Sequence, residues 1–473
     1  MTIDAPQTPS LTTQFDELQQ YFIKTPYLSI NKRITVLKQL RSRIVEFEQE
    51  LIDAVSKDFG YRTAFDTLLG DILPTMQALA HTIKKLPKWS KPSKRSVGLS
   101  LWPSKVSVTY QPKGVVGIIA PWNYPIQLAI VPVITALAAG NRTMLKLSEF
   151  TPHTNQVLEK LFSGELEQHC KLIQGGSDVA SEFSSLPFAH LFFTGSIAVG
   201  KLVMGAASAN LTPVTLELGG KSPVIITEKA DIKKAAQAIL FGKMANAGQI
   251  CVAPDYVFVP KELEHQLVQH LCELYKKHYK QGVEGKNLTS IVSDAHYARL
   301  SGYLEQAQQL GATIIKPLED NQQDPDKHRM GLHIVTQVTD DMQLMKDELF
   351  GPILPVMSYT NLEHAISYIK QHHHPLALYI LGQNKQIQEY IIKQTLSGTV
   401  AVNDTLVQVT ADDAPFGGVG HSGMGHYHAN EGFLTFSHAK NTLVSGSFNP
   451  RIGMLLKQSK VLIKLLKWLY IKK

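Results

Sequence analysis

Val115-Val116-Gly117-Ile118-Ile119-Ala120-Pro121-Trp122-Asn123-Tyr124-Pro125 is the stretch from which the fold can be read. Its first six residues form a continuous apolar strand, and residues 126–139 read as a helix. The alternation continues with a strand over 143–147, a helix over 151–162, strands over 171–173 and 190–193, and a helix over 199–207. Fully apolar strands separated by helices predict a parallel sheet covered on both faces. Nucleotides commonly bind at the carboxyl ends of such strands. A second run of strands and helices starts near Val224 and passes Val356, with helices clearest over 261–279 and 295–311.

N-terminal to this core, a short helix is expected near 15–22. Ile34, Leu37, Leu40, Ile44, Phe47 and Leu51 then recur at spacings of three and four, which predicts one amphipathic helix ended by Asp58-Phe59-Gly60. Another helix is expected over 64–84, kinked or restarted near Pro74. Between Pro103 and Pro112, Val106, Val108 and Tyr110 alternate with Ser107, Thr109 and Gln111. That pattern predicts an exposed hairpin at 97–112, open to pairing with another subunit.

The chain has 473 residues, more than one compact core holds, so two or more domains are expected. Its three cysteines are scattered and offer neither a disulfide framework nor metal-ligand spacing, which fits a reducing compartment. The first ten residues lack the pattern of a secretory leader, so a cytoplasmic protein is expected. His372, His373 and His374 are consecutive and cannot all face one ion, so no metal is expected. The net charge of +7 resides in one place. Residues 451–473 carry seven of the 47 basic residues and no acid; the remaining 40 are matched by 40 acidic ones. A neutral body argues against nucleic acid as a partner.

The chemistry centres on Asn246-Ala247-Gly248-Gln249-Ile250-Cys251 and Leu216-Glu217-Leu218-Gly219-Gly220-Lys221. Cys251 offers a thiol that can attack a carbonyl, and Glu217 a carboxylate that can activate water. Asn123 offers an amide donor at a strand end, suited to a developing oxyanion, and Trp122 and Tyr124 offer aromatic walls. Turn chemistry accounts for the same asparagine and prolines. Strand 190–193 runs into Thr194-Gly195-Ser196, with Gly200 following before a helix, and so meets the requirement for a phosphate held on backbone N–H groups. An ordinary strand–turn–helix has the same look. Lys146 and Glu149 can hold ribose or phosphate, or form a solvated charge pair. Asp347-Glu348-Leu349-Phe350-Gly351-Pro352 and Pro415-Phe416-Gly417-Gly418, taken singly, read as structural.

Taken together and in their order along the chain, these segments resemble the aldehyde dehydrogenase superfamily over residues 34–442. Ala253-Pro254-Asp255-Tyr256 and Val402-Asn403-Asp404-Thr405 look like its class-3-type branch, and the chain is most similar to the coniferyl aldehyde dehydrogenases within it. The resemblance implies an α/β fold: a Rossmann-like NAD-binding domain (1–96 and 113–219), an α/β catalytic domain (220–417), and a small β oligomerisation element (97–112 and 434–445) pairing across a homodimer. It implies NAD-dependent aldehyde oxidation, with NADP possible, on an aromatic or a medium- to long-chain aliphatic aldehyde. Cys251 is then nucleophile, Glu217 general base, and Asn123 with the Cys251 N–H the oxyanion hole. Lys146 and Glu149 hold the adenosine ribose, and Gly195, Ser196 and Gly200 form the pyrophosphate turn. Glu348 takes the nicotinamide ribose and Phe350 packs by the nicotinamide, while Trp122, Tyr124 and Phe416 line the substrate tunnel. Leu147 departs from the family, which has proline there; the lysine–glutamate spacing is intact, so altered backbone stiffness is expected. Two rival functions stand beside this one: a CoA-acylating dehydrogenase, in which a thiol takes the acyl group, and a non-enzymatic membrane-associated scaffold.

Residues 452–473 read as one basic amphipathic helix. Lys457, Lys460, Lys464 and Lys467 fall within roughly 80° of arc, opposite Leu455, Leu462, Leu466 and Leu469. This predicts peripheral contact with a membrane surface rather than a span. Packing on protein is the other reading.

Overall fold

The computed structural model describes residues 9–98, 101–457 and 459–471. A six-stranded sheet is ordered Gly423–Met424, Val214–Leu218, His190–Gly195, Val115–Ile119, Arg142–Lys146, Cys170–Ile173. All neighbours are parallel except Gly423–Met424, which runs antiparallel to Val214–Leu218. The chain builds outward from Val115–Ile119 in one direction, then returns to build in the other. The order therefore reverses between Val115–Ile119 and His190–Gly195, and a crevice opens at their carboxyl ends.

The helix Gln127–Ala139 is apolar all round, so it can only be buried, and twelve of its thirteen residues are. Gly140 ends it at φ 97°. The Arg33 guanidinium donates to the carbonyls of Ala138 and Ala139 at 3.0 Å each, satisfying helix-end acceptors that burial would otherwise orphan. A seven-stranded sheet follows, ordered Thr313–Ile315, His333–Thr336, Ile353–Tyr359, Tyr256–Pro260, Pro223–Ile226, Ala377–Leu381, Thr399–Val402. Its strands are parallel except Thr313–Ile315.

The helix break expected near Pro74 is present, while the first long helix and the hairpin need correction. The single helix through Leu51 is two, Ile30–Glu46 and Glu48–Asp58, because Phe47 (φ −98°, ψ 10°) leaves the helical path. The stretch after Ala64 is a short helix to Thr67, a π turn over Leu68–Ile72 and a helix Leu73–Trp89, so the restart falls at the residue before Pro74. The strand Lys105–Pro112 forms a hairpin with Ser93–Arg95, but its second partner is Ser437–Val444 of the same chain, in register from Ser437 opposite Pro112 to Val444 opposite Lys105. The two segments of the expected oligomerisation element pair with each other within the chain, and the outer edge of Ser437–Val444 has no strand beside it among the described residues.

The tail is likewise two helices, Pro450–Leu456 and Lys460–Tyr470. Ser459 breaks it by capping the second, its hydroxyl accepting from the Leu462 N–H at 3.1 Å. Lys460, Lys464 and Lys467 share one face of that second helix; Lys457 caps the first, and Lys472 and Lys473 lie outside the described residues.

Candidate active site

Two cavities meet at Cys251. One is a polar cleft at the carboxyl ends of Val115–Ile119 and His190–Gly195; Trp122, Asn123, Ser196, Glu217, Glu348 and Phe350 line it with Cys251. The other is an apolar chamber walled by Tyr124, Leu128, Phe241, Phe416 and Tyr427, again with Asn123 and Cys251. The second sheet contributes from the opposite ends of its strands. Cys251 lies just before Tyr256–Pro260, and Glu348 and Phe350 just before Ile353–Tyr359. The site is the seam where carboxyl ends of one sheet face amino ends of the other.

The loop that leads into Cys251 is tightly bent. Asn246, Ala247 and Gly248 have φ of 48°, 52° and 75°, three consecutive left-handed residues. Only glycine takes this conformation freely, and at Gly248 any Cβ would lie 2.5 Å from the Gly351 carbonyl oxygen. The strain at the other two is held by hydrogen bonds. Gln249 donates through Nε2 to the carbonyls of Asn246 and Ser290, both at 3.0 Å, and accepts the Val292 N–H at 3.0 Å. Asn246 Nδ2 reaches across to the Asn123 carbonyl at 3.2 Å. The loop that ends in Cys251 is therefore tied to the loop that carries Asn123.

Asn123 Nδ2 donates to the Gln249 carbonyl at 3.1 Å, so its amide points along the loop that ends in Cys251. Its backbone carbonyl accepts from Arg62 Nη1 at 2.8 Å. Arg62 in turn faces Asp71 at 3.1 Å, and both side chains are wholly buried. The other Asp71 oxygen accepts the N–H groups of Ile126 and Gln127 at 3.0 and 2.9 Å, where the apolar helix begins. The Arg62 guanidinium also lies 4.6 Å from the centre of the Tyr124 ring.

Burial sets the electrostatics. Glu217 is 3% exposed and neither carboxylate oxygen has a partner. Desolvation holds its carboxyl well above the usual range. Burial, then the neighbouring carboxylate of Asp255, pushes Glu348 up to about 8. Burial, then the charges of Glu348 and Glu217, pushes the Cys251 thiol up to about 12, against the pull of its own N–H and that of Val252. Cations or hydrogen-bond donors entering the cleft favour the charged forms of all three.

The polar cleft fits a dinucleotide. Thr194 Oγ1, both Glu217 oxygens and Glu348 Oε1 are buried without partners, which in a native protein calls for a ligand or water. Gly219 brings backbone so close to Glu348 that a Cβ there would lie 2.0 Å from Oε2. Ser196 caps the helix Ile197–Ser208, leaving a helix start at the cleft. Lys146 and Glu149 pair at 3.0 Å beyond the end of Arg142–Lys146, outside the cleft's lining. Gly200 is buried against Leu218, where a Cβ would lie 2.6 Å from Cδ2; it seats the helix on its sheet rather than facing the cleft. Trp122, expected in the substrate tunnel, instead lies in the polar cleft, edge-on to Phe350 at 5.4 Å between ring centres. Tyr124 and Phe416 do line the apolar chamber.

Several residues escaped the sequence reading. Arg299 donates to the carbonyls of Glu348 and Leu349 at 3.2 and 2.8 Å and so fixes the segment carrying Glu348 and Phe350. Lys221 pairs with Asp255, which also accepts the Leu349 N–H at 2.9 Å. Asn246, Gln249 and Lys221 stood inside quoted motifs without a role; Arg62, Asp71 and Arg299 had no local signal.

The aldehyde dehydrogenase family profile matches residues 15–442, and the chain belongs to that family. It is accordingly an NAD(P)-dependent oxidoreductase of aldehydes. It is 45% identical over 440 residues to a probable coniferyl aldehyde dehydrogenase of Pseudomonas aeruginosa, covering 93% of this chain and 92% of that protein. It is 35% identical over 423 residues to the dimeric NADP-preferring aldehyde dehydrogenase of Rattus norvegicus, covering 89% and 91%. Among solved structures, the substrate-bound state of Staphylococcus aureus AldH superimposes with a TM-score of 0.89 at 36% identity, covering 93% and 95%.

Proposed function

We propose that this enzyme oxidises a coniferyl-type or medium- to long-chain aldehyde to its carboxylic acid, with Cys251 as nucleophile and Glu217 as general base. The observation that carries the reading is the position of Cys251 in the wall between an apolar chamber and a polar cleft. The aldehyde enters from the first and the dinucleotide lies in the second. The Cys251 thiolate attacks the carbonyl carbon, since thiolate and not thiol is the nucleophile. Asn123 Nδ2 and the Cys251 N–H stabilise the oxyanion; one such donor contributes about 3–4 kcal/mol to the barrier. The dinucleotide, when bound, supplies the hydride acceptor. Oxidation of the hemithioacetal leaves a thioester on Cys251. Glu217 takes a proton from the water that hydrolyses this thioester, and the thiol is freed.

Gly195, Ser196, Glu348 and Phe350 would hold the dinucleotide, with Lys146 and Glu149 at its adenosine ribose. A carboxylate at 149 favours free ribose hydroxyls over a 2′-phosphate, so NAD is the first cofactor and NADP the second. The relative from Pseudomonas aeruginosa, a probable coniferyl aldehyde dehydrogenase, supports an aromatic propenal among the substrates. Retention of Glu217 favours water over CoA as acyl acceptor.

Glu217→Gln is expected to lower steady-state turnover by about 10²–10⁴-fold while single-turnover NADH formation persists. The parent rate should rise with pH, because a base whose carboxyl is held high by burial works only once deprotonated. The assay is run on coniferyl aldehyde with each cofactor, with and without CoA. Unchanged steady-state turnover in Glu217→Gln removes Glu217 as base, and an acyl-CoA product replaces hydrolysis with thiol transfer.

A homodimer is proposed through the free edge of Ser437–Val444, since an open strand edge invites another strand. The tail is proposed to lie on an anionic membrane surface. No residue of Pro450–Leu456 or Lys460–Tyr470 is buried, although most are apolar, and the second helix carries its three lysines on one face. No described helix is long and apolar enough to cross a membrane. Co-sedimentation with phosphatidylserine-containing liposomes should fall several-fold when residues 450–473 are removed; equal partitioning would rule the contact out.

A further inference from the structure

The three-stranded sheet is rooted in the body at one end only. Ser437, opposite Pro112, is buried; from His438 to Val444 the outer strand is exposed throughout. The far end carries the turn that leads into Lys105, where the Ser104 N–H donates to the Leu101 carbonyl at 2.8 Å. Arg95 stands opposite Val106 there, and Val444 opposite Lys105. The tail starts from this end and is tied to the turn. Arg451 Nη1 donates to the Leu101 carbonyl and to the Ser104 hydroxyl at 3.0 and 3.2 Å. The Ser104 and Ser445 hydroxyls share a hydrogen bond at 2.8 Å, and Phe448 meets Trp102 edge-on at 6.5 Å between ring centres.

This tip is both aromatic and basic. Trp102 and Phe448 are 60% and 66% exposed, beside Val444 at 58%. The stretches 72–148 and 432–473 supply all three strands; they hold ten and eight Lys or Arg residues and no Asp or Glu. Acids elsewhere offset that charge in the sum but not in place. Lys94, Arg95 and Lys105 are exposed, and among the described residues none of them has a carboxylate within 4.0 Å. Unpaired cations around an open indole fit the surface of a bilayer. Tryptophan favours the boundary between water and lipid, and lysine and arginine are drawn to anionic headgroups within a Debye length. A second copy docked tip to tip would set like charges against each other.

We infer that the free end of the sheet is a second membrane contact: Trp102 enters the lipid interface while Lys94, Arg95 and Lys105 meet the headgroups of anionic phospholipid. The inference rests on the tail reading and deepens it. The tail supplies one anchor; a contact built on the sheet adds another and fixes which side of the enzyme faces the bilayer. Two such signals hold a protein at a membrane more firmly than one.

Co-sedimentation of the full-length protein with phosphatidylcholine vesicles, with and without phosphatidylserine, tests this. Neutralising the tip (Lys94→Gln with Arg95→Gln and Lys105→Gln) should lower partition onto the anionic vesicles at least about tenfold, since each basic residue near such a surface contributes about fivefold. Trp102→Ala alone should lower it several-fold, and Trp102→Phe should keep most of it. Neutralising the tail (Lys460→Gln with Lys464→Gln and Lys467→Gln) should leave binding that the tip substitutions then remove. All these variants should oxidise aldehyde in solution at the parent's rate and, without vesicles, sediment as the parent does. If the tip variants partition like the parent while the tail variant does not bind, the tail acts alone: the inference fails and the membrane reading stands. A parent that ignores anionic vesicles removes both. A tip variant that sediments lighter than the parent without vesicles shows the tip to be a contact between copies and overturns the inference.

Discussion

Cys251→Ala should have no measurable aldehyde oxidation while binding NAD as the parent does. No other side chain can take its place. Cys170 is buried in the first sheet and its thiol is pushed up to about 12, and Cys272 lies on the helix Glu264–His278, outside both cavities. Losing the nucleophile removes the covalent route entirely, which in enzymes of this kind costs many orders of magnitude. The same thiol gives a second measurement. With burial and two carboxylates pushing it up to about 12, Cys251 in the cofactor-free protein is overwhelmingly thiol at neutral pH. Alkylation by iodoacetamide should therefore be slow at pH 7 and rise with pH. Quantitative oxidation by the alanine variant, or thiolate-like alkylation at pH 6, would contradict the account of this site.

Asp71→Ala should destabilise the protein by about 3–5 kcal/mol, read from urea denaturation. The substitution leaves the Arg62 guanidinium buried and unpaired, and it strips the acceptor from two N–H groups at the head of the apolar helix. An uncompensated buried charge costs far more than the pair itself contributes. The folded fraction should also oxidise aldehyde more slowly, because Arg62 then no longer fixes the Asn123 backbone. Asp71→Asn keeps an oxygen for the helix N–H groups and should fall between. A midpoint unchanged in both variants would show that the pair holds nothing in place.

The apolar strands were legible because a strand buried on both faces is apolar, and 115–119 and the Leu191–Phe193 stretch announce themselves that way. Glu217 and Cys251 could be singled out in the sequence because glycines flank both, and the structure brings the two to one cleft. Arg62 and Asp71 were not: a buried ion pair uses residues that look solvated in sequence, and its members come together only through the tertiary fold. Phe47 was invisible as a break because the apolar spacing runs through it into Leu51. Trp122 was assigned to the wrong cavity because a strand-end loop can turn a side chain to either side of the seam, and adjacent residues here do so: Trp122 faces the cleft, Tyr124 the chamber. The pairing of Lys105–Pro112 with Ser437–Val444 depends on two remote segments meeting, and local alternation shows only that each can be a strand.

The strand bearing Glu217 finds its outermost neighbour at Gly423–Met424, delivered only after the whole second sheet has been laid down. The join is close: a methyl group at Gly423 would collide with the Leu216 carbonyl oxygen at 2.1 Å. The two halves are thus laced together, and neither can be excised as a working module.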